Sequence, residues 1–323
     1  MAIAFIFPGQ GSQDIGMGRE LAQTFTSAQA VFDEVDDALG EKLSAIMWGD
    51  NKETLTLTHN AQPALMAVSM AVMRVLEKDF GFSLKDKVKF VAGHSLGEYS
   101  ALAASGAFSL VDTARLLRLR GEAMQAAVPV GQGAMTALLG VGIDVARQVA
   151  EAAARPAEGG QGTGEVCQVA NDNEPAQVVL SGHKTALDRV PEIGKGFGVR
   201  RAVPLPVSAP FHCALMQPAA EAMQAALANV QVHKPSVPVV ANVLASAISD
   251  PADIKQRLVE QVVGTVRWRE CVSYMTAHGI TDMYEIGSGK VLAGLVKRTE
   301  KSLNASSLGT PAEIEAALSS LSS

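Results

Sequence analysis

The passage from Lys87 to Glu98 constrains this chain most. Val88-Lys89-Phe90-Val91-Ala92 reads as a buried strand, Gly93-His94-Ser95-Leu96-Gly97 follows without a break, and helical sequence resumes at Glu98. A serine between glycines at a strand-to-helix reversal matches the G-x-S-x-G elbow. The tight turn exposes the hydroxyl, and the glycines sit where a side chain would clash. The next main-chain N–H, at a helix N-terminus, faces the oxyanion that forms when a carbonyl is attacked. Three fixed small residues recur by chance; the apolar strand before them and the helix after them give the motif its weight.

Such a turn belongs at the carboxyl end of a parallel strand, and the rest of the chain agrees. Ile3 to Phe7 is a short apolar run stopped by Pro8-Gly9. Mixed periodicity predicts one helix from about Met17 to Leu39, Pro63 is expected to open a nearly all-apolar helix, and Val111 to Ala127 gives another. Strands alternating with helices predict a parallel sheet covered on both faces. Between Gly133 and Pro204 the rhythm changes. A strand (Ala134 to Gly140), a helix (Asp144 to Ala154) and a Gly-rich loop (Gly159 to Gly164) are followed by a strand at Glu165 to Ala170 and a turn at Asn171 to Pro175. A strand (Gln177 to Leu180), a helix (Thr185 to Lys195) and a strand (Val199 to Val203) complete a βαββαβ order, the ferredoxin-like arrangement. The α/β pattern then resumes with strands at Val237 to Ala241 and Thr281 to Ile286, helices beyond Pro251 and Val266, and a last helix from Lys290. The expected organisation is an α/β core made of residues 1–132 and 205–323, with residues 133–204 inserted as a small subdomain.

Composition removes several functions. The 323 residues carry 27 basic and 33 acidic side chains, a formal charge of -6, which argues against a general nucleic-acid binder. With 48% hydrophobic and 19% charged residues the chain reads as globular, and no apolar stretch approaches the ~20 residues of a membrane helix. The opening apolar run is too short and too poor in positive charge for a secretory signal. Cys167, Cys213 and Cys271 are odd in number and far apart, so neither a disulfide framework nor a thiolate metal site is expected. A cytoplasmic protein without a metal is the expectation.

A serine nucleophile needs a base, and six histidines are available. His94, beside Ser95 on a tight turn, cannot curl back to it. His59, His183, His233 and His278 sit in polar or helix-edge contexts. His212, in Val207-Ser208-Ala209-Pro210-Phe211-His212, follows the serine in chain order as the base does in hydrolase-type sheets, and is a candidate. None of Asp112, Asp144, Asp172 and Asp188 is well placed to orient an imidazole; a backbone carbonyl could fix the same tautomer. Arg115, Arg118 and Arg120 share a helix. The first two read as a solvated face, with Arg118 pairing to Glu122, while Arg120 falls on a different, apolar face where a guanidinium needs an anion such as a bound carboxylate. Gly287-Ser288-Gly289-Lys290 lacks the spacing of a phosphate loop.

Taken together, Phe7-Pro8-Gly9-Gln10-Gly11-Ser12-Gln13, the Gly93 to Ser100 elbow, Arg120-Gly121, Val207 to Met216 and Tyr284-Glu285-Ile286-Gly287 resemble the malonyl-CoA:acyl carrier protein transacylases of bacterial fatty-acid synthesis, in order and over essentially the whole chain. The resemblance implies a hydrolase-like parallel-sheet core with a ferredoxin-like insert. It also implies ping-pong transfer of malonyl from malonyl-CoA to the phosphopantetheine thiol of an acyl carrier protein through a serine ester. Ser95 then matches the nucleophile, His212 the base, and Arg120 the partner of the malonyl carboxylate. Gln10 and Leu96 match the main-chain oxyanion donors, and Gln261 the residue whose main-chain carbonyl orients the histidine. Asn171 and Asn173 fall where the family has site-edge asparagines, and Phe211 would leave little room for a branched acyl group. No cofactor is implied, the CoA thioester being a substrate, and the expected state is a monomer. The longer Gly-rich loop at Glu158 to Gly164 departs from the family pattern. Because carrier proteins are usually acidic, a local basic patch is expected, either Lys195, Arg200 and Arg201 or Lys297, Arg298 and Lys301. Three other readings share the motifs: a serine esterase or thioesterase, which would turn over with water; the malonyl transferase of malonate decarboxylase, which differs in acceptor; and a carrier-binding scaffold, in which Ser95 would not be acylated.

Overall fold

The computed structural model describes residues 2–155, 164–207 and 209–322. The Gly-rich loop expected at Glu158 to Gly164 lies, apart from Gly164, outside the described residues.

Strands β1 (Ile3–Phe7) and β2 (Val88–Gly93) pair in parallel at the centre of a six-stranded sheet. Their apolar runs are continuous because both faces are covered. Ile3, Phe5 and Phe7 enter one core cluster, while Ala4 and Ile6 enter the cluster on the opposite face. Strands β3 (Gly133–Leu139), β4 (Cys167–Glu174), β5 (Gln177–His183) and β6 (Arg201–Pro204) form a separate antiparallel sheet in the order β4-β5-β3-β6. Helices Ile143–Ala154 and Lys184–Gly196 bury a third core with that sheet. The βαββαβ reading of the insert therefore holds. Strands β7 (Val239–Ala241), β8 (Ser246–Ile248), β9 (Asp282–Ile286) and β10 (Asn304–Leu308) complete the large sheet, in the order β10-β9-β1-β2-β7-β8. Only β8 in it runs antiparallel, against β7. Among the described residues no helix is long and apolar enough to cross a membrane.

Several boundaries differ from the sequence reading, each for a local reason. The helix expected over Met17 to Leu39 is two, Arg19–Thr24 and Thr26–Leu39, broken at Phe25, whose extended backbone sets its ring edge-on to Phe80. Pro63 does not open its helix; it lies inside Thr58–Lys78. The turn expected at Asn171 to Pro175 is mostly strand. Two bulges let β4 carry the polar residues Asn171 to Glu174 along its pairing with β5, and a bridge to Val266 ties Asn171 to the core. The helix from Lys290 is not the last, since β10 and the helix Pro311–Ser322 follow. Arg118 does not pair with Glu122 on a solvated face: it donates to Asn60 Oδ1 at 2.6 Å and bonds Glu41.

Two glycines place the future site. A Cβ on Gly97 would stand 2.2 Å from the Phe7 carbonyl oxygen, so the elbow packs directly on the end of β1. A Cβ on Gly121 would stand 2.5 Å from His59 Cα, so the helix Leu110–Ala126 lies backbone to backbone on Thr58–Lys78 and sinks the neighbouring Arg120 into the interior.

Candidate active site

Ser95 sits between the end of β2 and the helix Leu96–Ala104 with φ 55° and ψ -111°, a strained conformation for a residue with a side chain. His212 also has positive φ, 57°. The two strained residues meet: Ser95 Oγ lies 2.7 Å from His212 Nε2. On the far side of the ring, Nδ1 lies 2.8 Å from the main-chain oxygen of Gln261. A carbonyl only accepts, so Nδ1 carries the proton and Nε2 is left to receive one from Ser95. No carboxylate is needed for that tautomer.

Burial, and then the Arg120 charge, push the His212 imidazole down to about 3. The ring is therefore neutral across the physiological range and available as a base. Linkage fixes the sign of a stability effect. The unfolded chain protonates this histidine near its ordinary value of 6.5, whereas the folded chain resists until about pH 3. In between, the unfolded state holds the extra proton, so stability falls as pH falls, by up to about 1.4 kcal/mol per pH unit. His212→Gln is neutral throughout. Its melting temperature relative to wild type is expected to rise progressively from pH 7 to pH 4.5 in differential scanning calorimetry, and a constant offset would refute the shift.

Arg120 is 1% exposed. It donates to Gln62 Oε1 at 2.8 Å, to Gln261 Oε1 at 2.9 Å and to Ser95 Oγ at 3.1 Å, and its Nε has no partner. Its face lies 5.6 Å from the Tyr99 ring centroid. These partners are neutral. A buried cation without an ion pair beside the elbow serine is a place for an anion.

The serine, the histidine and the arginine line one cavity of about 260 Å³, together with Gln10, Leu96 and Phe211. The main-chain N–H groups of Gln10 and Leu96 meet no acceptor among the described residues. A Cβ on Gly9 would stand 2.7 Å from the His94 carbonyl oxygen, so the turn carrying Gln10 is pressed against the elbow. Asn171 lines the same cavity, and Asn173 Oδ1 lies 2.8 Å from His94 Nε2. His94 is thus held by Asn173 and does not serve Ser95. Of the residues singled out in the sequence, Gln10, Ser95, Leu96, Arg120, Asn171, Phe211 and His212 line the cavity, while Asn173 and Gln261 stand behind it, bonded to His94 and His212.

Sequence reasoning missed two buried groups beneath it. Asn242 accepts from the Ser95 N–H at 2.8 Å and donates to the Gly93 carbonyl at 2.7 Å. Glu98 Oε2 accepts from the Asn242 N–H at 3.0 Å and from Gln261 Nε2 at 2.8 Å. Burial pushes the Glu98 carboxyl up to about 7, against the pull of those hydrogen bonds and of Arg120. Two signals were available. Glu98 is the one charged residue in the run Leu96 to Ala104, and Asn242 is a polar residue at the carboxyl end of an apolar strand, where sites in open α/β sheets are built.

The acyl transferase domain family matches residues 4–314. The malonyl CoA-acyl carrier protein transacylase of Bacillus subtilis is 44% identical over 319 residues, covering 99% of this chain and 97% of that protein. The crystal structure of an acyl-carrier-protein S-malonyltransferase from Bartonella henselae superposes with a TM-score of 0.94 at 55% identity, covering 100% of both chains. A malonyl-transacylase solved in complex with a type II polyketide acyl-carrier protein superposes with a TM-score of 0.93 at 38% identity, over 99% of this chain and 100% of that one. With the elbow serine, its histidine and the buried arginine in one cavity, and with this likeness along its whole length, the chain belongs to the acyl transferase family.

Proposed function

We infer that the chain moves a malonyl group from malonyl-CoA to the phosphopantetheine thiol of an acyl carrier protein, through an ester on Ser95. The observation that carries this reading is the buried, unpaired Arg120 one hydrogen bond from Ser95 Oγ. An acyl group attached to that oxygen and bearing its own carboxylate would supply the missing anion. The names of the relatives and the carrier-bound neighbour support the same substrates.

The steps follow from the geometry. His212 Nε2 takes the Ser95 proton as Oγ attacks the thioester carbonyl, and the Gln10 and Leu96 N–H groups receive the oxyanion; one such donor is worth roughly 3 kcal/mol. As the tetrahedral centre collapses, the C–S bond breaks and CoA leaves with the proton from His212. The carrier thiol then gives its proton to His212 and attacks the ester, and Ser95 regains the proton as its oxygen departs. No cofactor enters this sequence. Phe211, 7% exposed on the cavity wall, narrows the space beside the carboxylate and favours an unbranched chain. For the carrier we favour the basic group Lys297, Arg298 and Lys301. Arg298 bonds Glu174, the sequence neighbour of the Asn173 that holds His94, which supports this choice. Among the described residues each group has one paired member, Arg298 with Glu174 and Lys195 with Glu192, so pairing does not separate them. We propose a monomer acting in the cytoplasm, since one chain supplies every group used.

Intact-mass measurement after mixing with malonyl-CoA and, in parallel, acetyl-CoA tests the reading. A malonyl adduct on Ser95 that persists without an acceptor thiol and discharges to phosphopantetheinylated carrier is expected. Steady CoA release without any acceptor would favour a thioesterase, and the absence of an adduct would refute transfer through the serine.

A further inference from the structure

The buried hydrogen bonds beneath the site converge on Gln261. Its main-chain oxygen holds His212 Nδ1, its side-chain Oε1 accepts from Arg120, and its Nε2 donates to the Ser95 carbonyl at 3.0 Å and to Glu98 Oε2 at 2.8 Å. One residue thus touches the base, the arginine and the backbone of the serine. What fixes Gln261 is the remaining question. An amide can turn over, exchanging oxygen for nitrogen. Turned over here, it would bring its NH₂ against the guanidinium, donor against donor, and its oxygen against the Glu98 carboxyl. Oε2 of Glu98 already takes two N–H donors, so it carries no proton in either charge state of the carboxyl, and it holds the amide in the one orientation that presents oxygen to Arg120.

We propose that Glu98 is a positioning residue for transfer, acting through the side-chain amide of Gln261 to set both the His212 tautomer contact and the aim of Arg120. Among the described residues the Glu98 side chain makes no hydrogen bond to His212 or Arg120; it bonds Gln261 and the Asn242 main chain. It is 1% exposed and lies on the elbow helix itself. The relay therefore locks the helix Pro251–Val263, which carries Gln261, to the helix that begins at the nucleophile. The proposal rests on the function inferred above and adds a residue to it.

The test is a double-mutant cycle of Glu98→Leu and Gln261→Met, both replacements similar in length but without the link, with Glu98→Gln as the variant that keeps an acceptor oxygen. The readout is the rate of Ser95 acylation at saturating malonyl-CoA and acetyl-CoA. Misplacement on the ångström scale costs about 100-fold, so E98L is expected to slow malonylation about 100-fold. Acetylation loses only the base alignment and is expected to slow about 10-fold. In the Q261M background the relay is already cut, so E98L should add less than about threefold, as contacts in one network are non-additive. E98Q should recover to within about threefold of wild type. Losses that multiply in the double variant, or an E98Q as slow as E98L, would overturn the relay. If E98L does not fold, Glu98→Asp, whose shorter side chain draws its carboxyl away from Gln261 Nε2, takes its place in the cycle with the same two outcomes. The wild-type chain in the same assay separates the two readings. No malonyl ester there overturns the proposed function, while the cycle, read with whichever acyl-CoA acylates Ser95, addresses the relay alone.

Discussion

Ser95→Ala is expected to carry no acyl adduct in intact-mass spectra and to transfer malonyl at least about 10⁴-fold more slowly than wild type, since loss of a serine nucleophile costs up to about 10⁶-fold where oxyanion donors and substrate binding remain. The size follows from what is left. Without Oγ, His212 Nε2 faces an empty position, and the neighbouring thiol does not replace it: Cys213, next to His212 in sequence, is buried with its Sγ toward the Pro210 carbonyl, and burial pushes its thiol up. His212→Ala should cost less, about 10²–10⁴-fold, because it removes the base and leaves the nucleophile. That order, serine above histidine, can be read from rates of malonyl transfer to the carrier. The fold should survive both changes. Ser95 strains its own backbone, and alanine keeps the same Cβ. A Ser95→Ala chain that still acquires a malonyl group would place the ester elsewhere and remove the elbow from the mechanism.

The elbow was legible in the sequence because its physics is local. An apolar run buried on both faces, two glycines at positions where a Cβ would meet backbone, and a helix start all lie within twelve residues, and none needs a distant partner to be recognised. The βαββαβ insert was legible for a similar reason, since its strands and helices alternate at short range. What stayed hidden depends on contacts made across the chain. Asn171 to Glu174 look like a turn, being polar and followed by Pro175, yet they continue β4 because the bulged pairing with β5 and the bridge to Val266 give their backbone partners. Arg118 looks exposed, and its neighbours Asn60 and Glu41 lie 58 and 77 positions away. The strand β10 was missed because only Ala305 and Leu308 of Asn304 to Leu308 are apolar, three positions apart and so without the alternation of a strand, and it forms the sheet edge against β9.

The same distinction runs through the site. Ser95, His212 and Arg120 could be named because each has a residue type that chemistry demands: a hydroxyl, an imidazole, a guanidinium. Glu98 and Asn242 serve through hydrogen bonds to the main chain and to one another's partners, a role many polar residues could fill. The orienting carbonyl of Gln261 belongs to the backbone, so no side-chain pattern can announce it. The missing acid is the consequence. A sequence reader looks for an aspartate, and His212 Nδ1 meets a peptide oxygen, which holds the same tautomer without a carboxylate on the imidazole.

Arg120→Ala is expected to separate two acyl groups that differ by one carboxylate. Charge-assisted hydrogen bonds contribute about 1.5–3 kcal/mol, so malonyl transfer should fall by about 10- to 150-fold in kcat/KM. Acetyl transfer should not follow. Acetyl has no carboxylate to lose, and the buried Arg120 charge opposes a proton on His212. Removing it makes the imidazolium that forms during attack easier to reach, so acetyl transfer should hold or rise. Arg120→Lys should fall between the two for malonyl, since an ammonium keeps the charge but not the planar fork that now spans Gln62, Gln261 and Ser95. The opposite signs are what make the comparison decisive. A residue that only props the cavity open would depress both substrates together, whereas one that recognises an anion must lose malonyl alone. In free enzyme the guanidinium donates to Ser95 Oγ, the atom that must attack. A malonyl carboxylate that accepted those N–H groups would leave the Oγ lone pair free for attack.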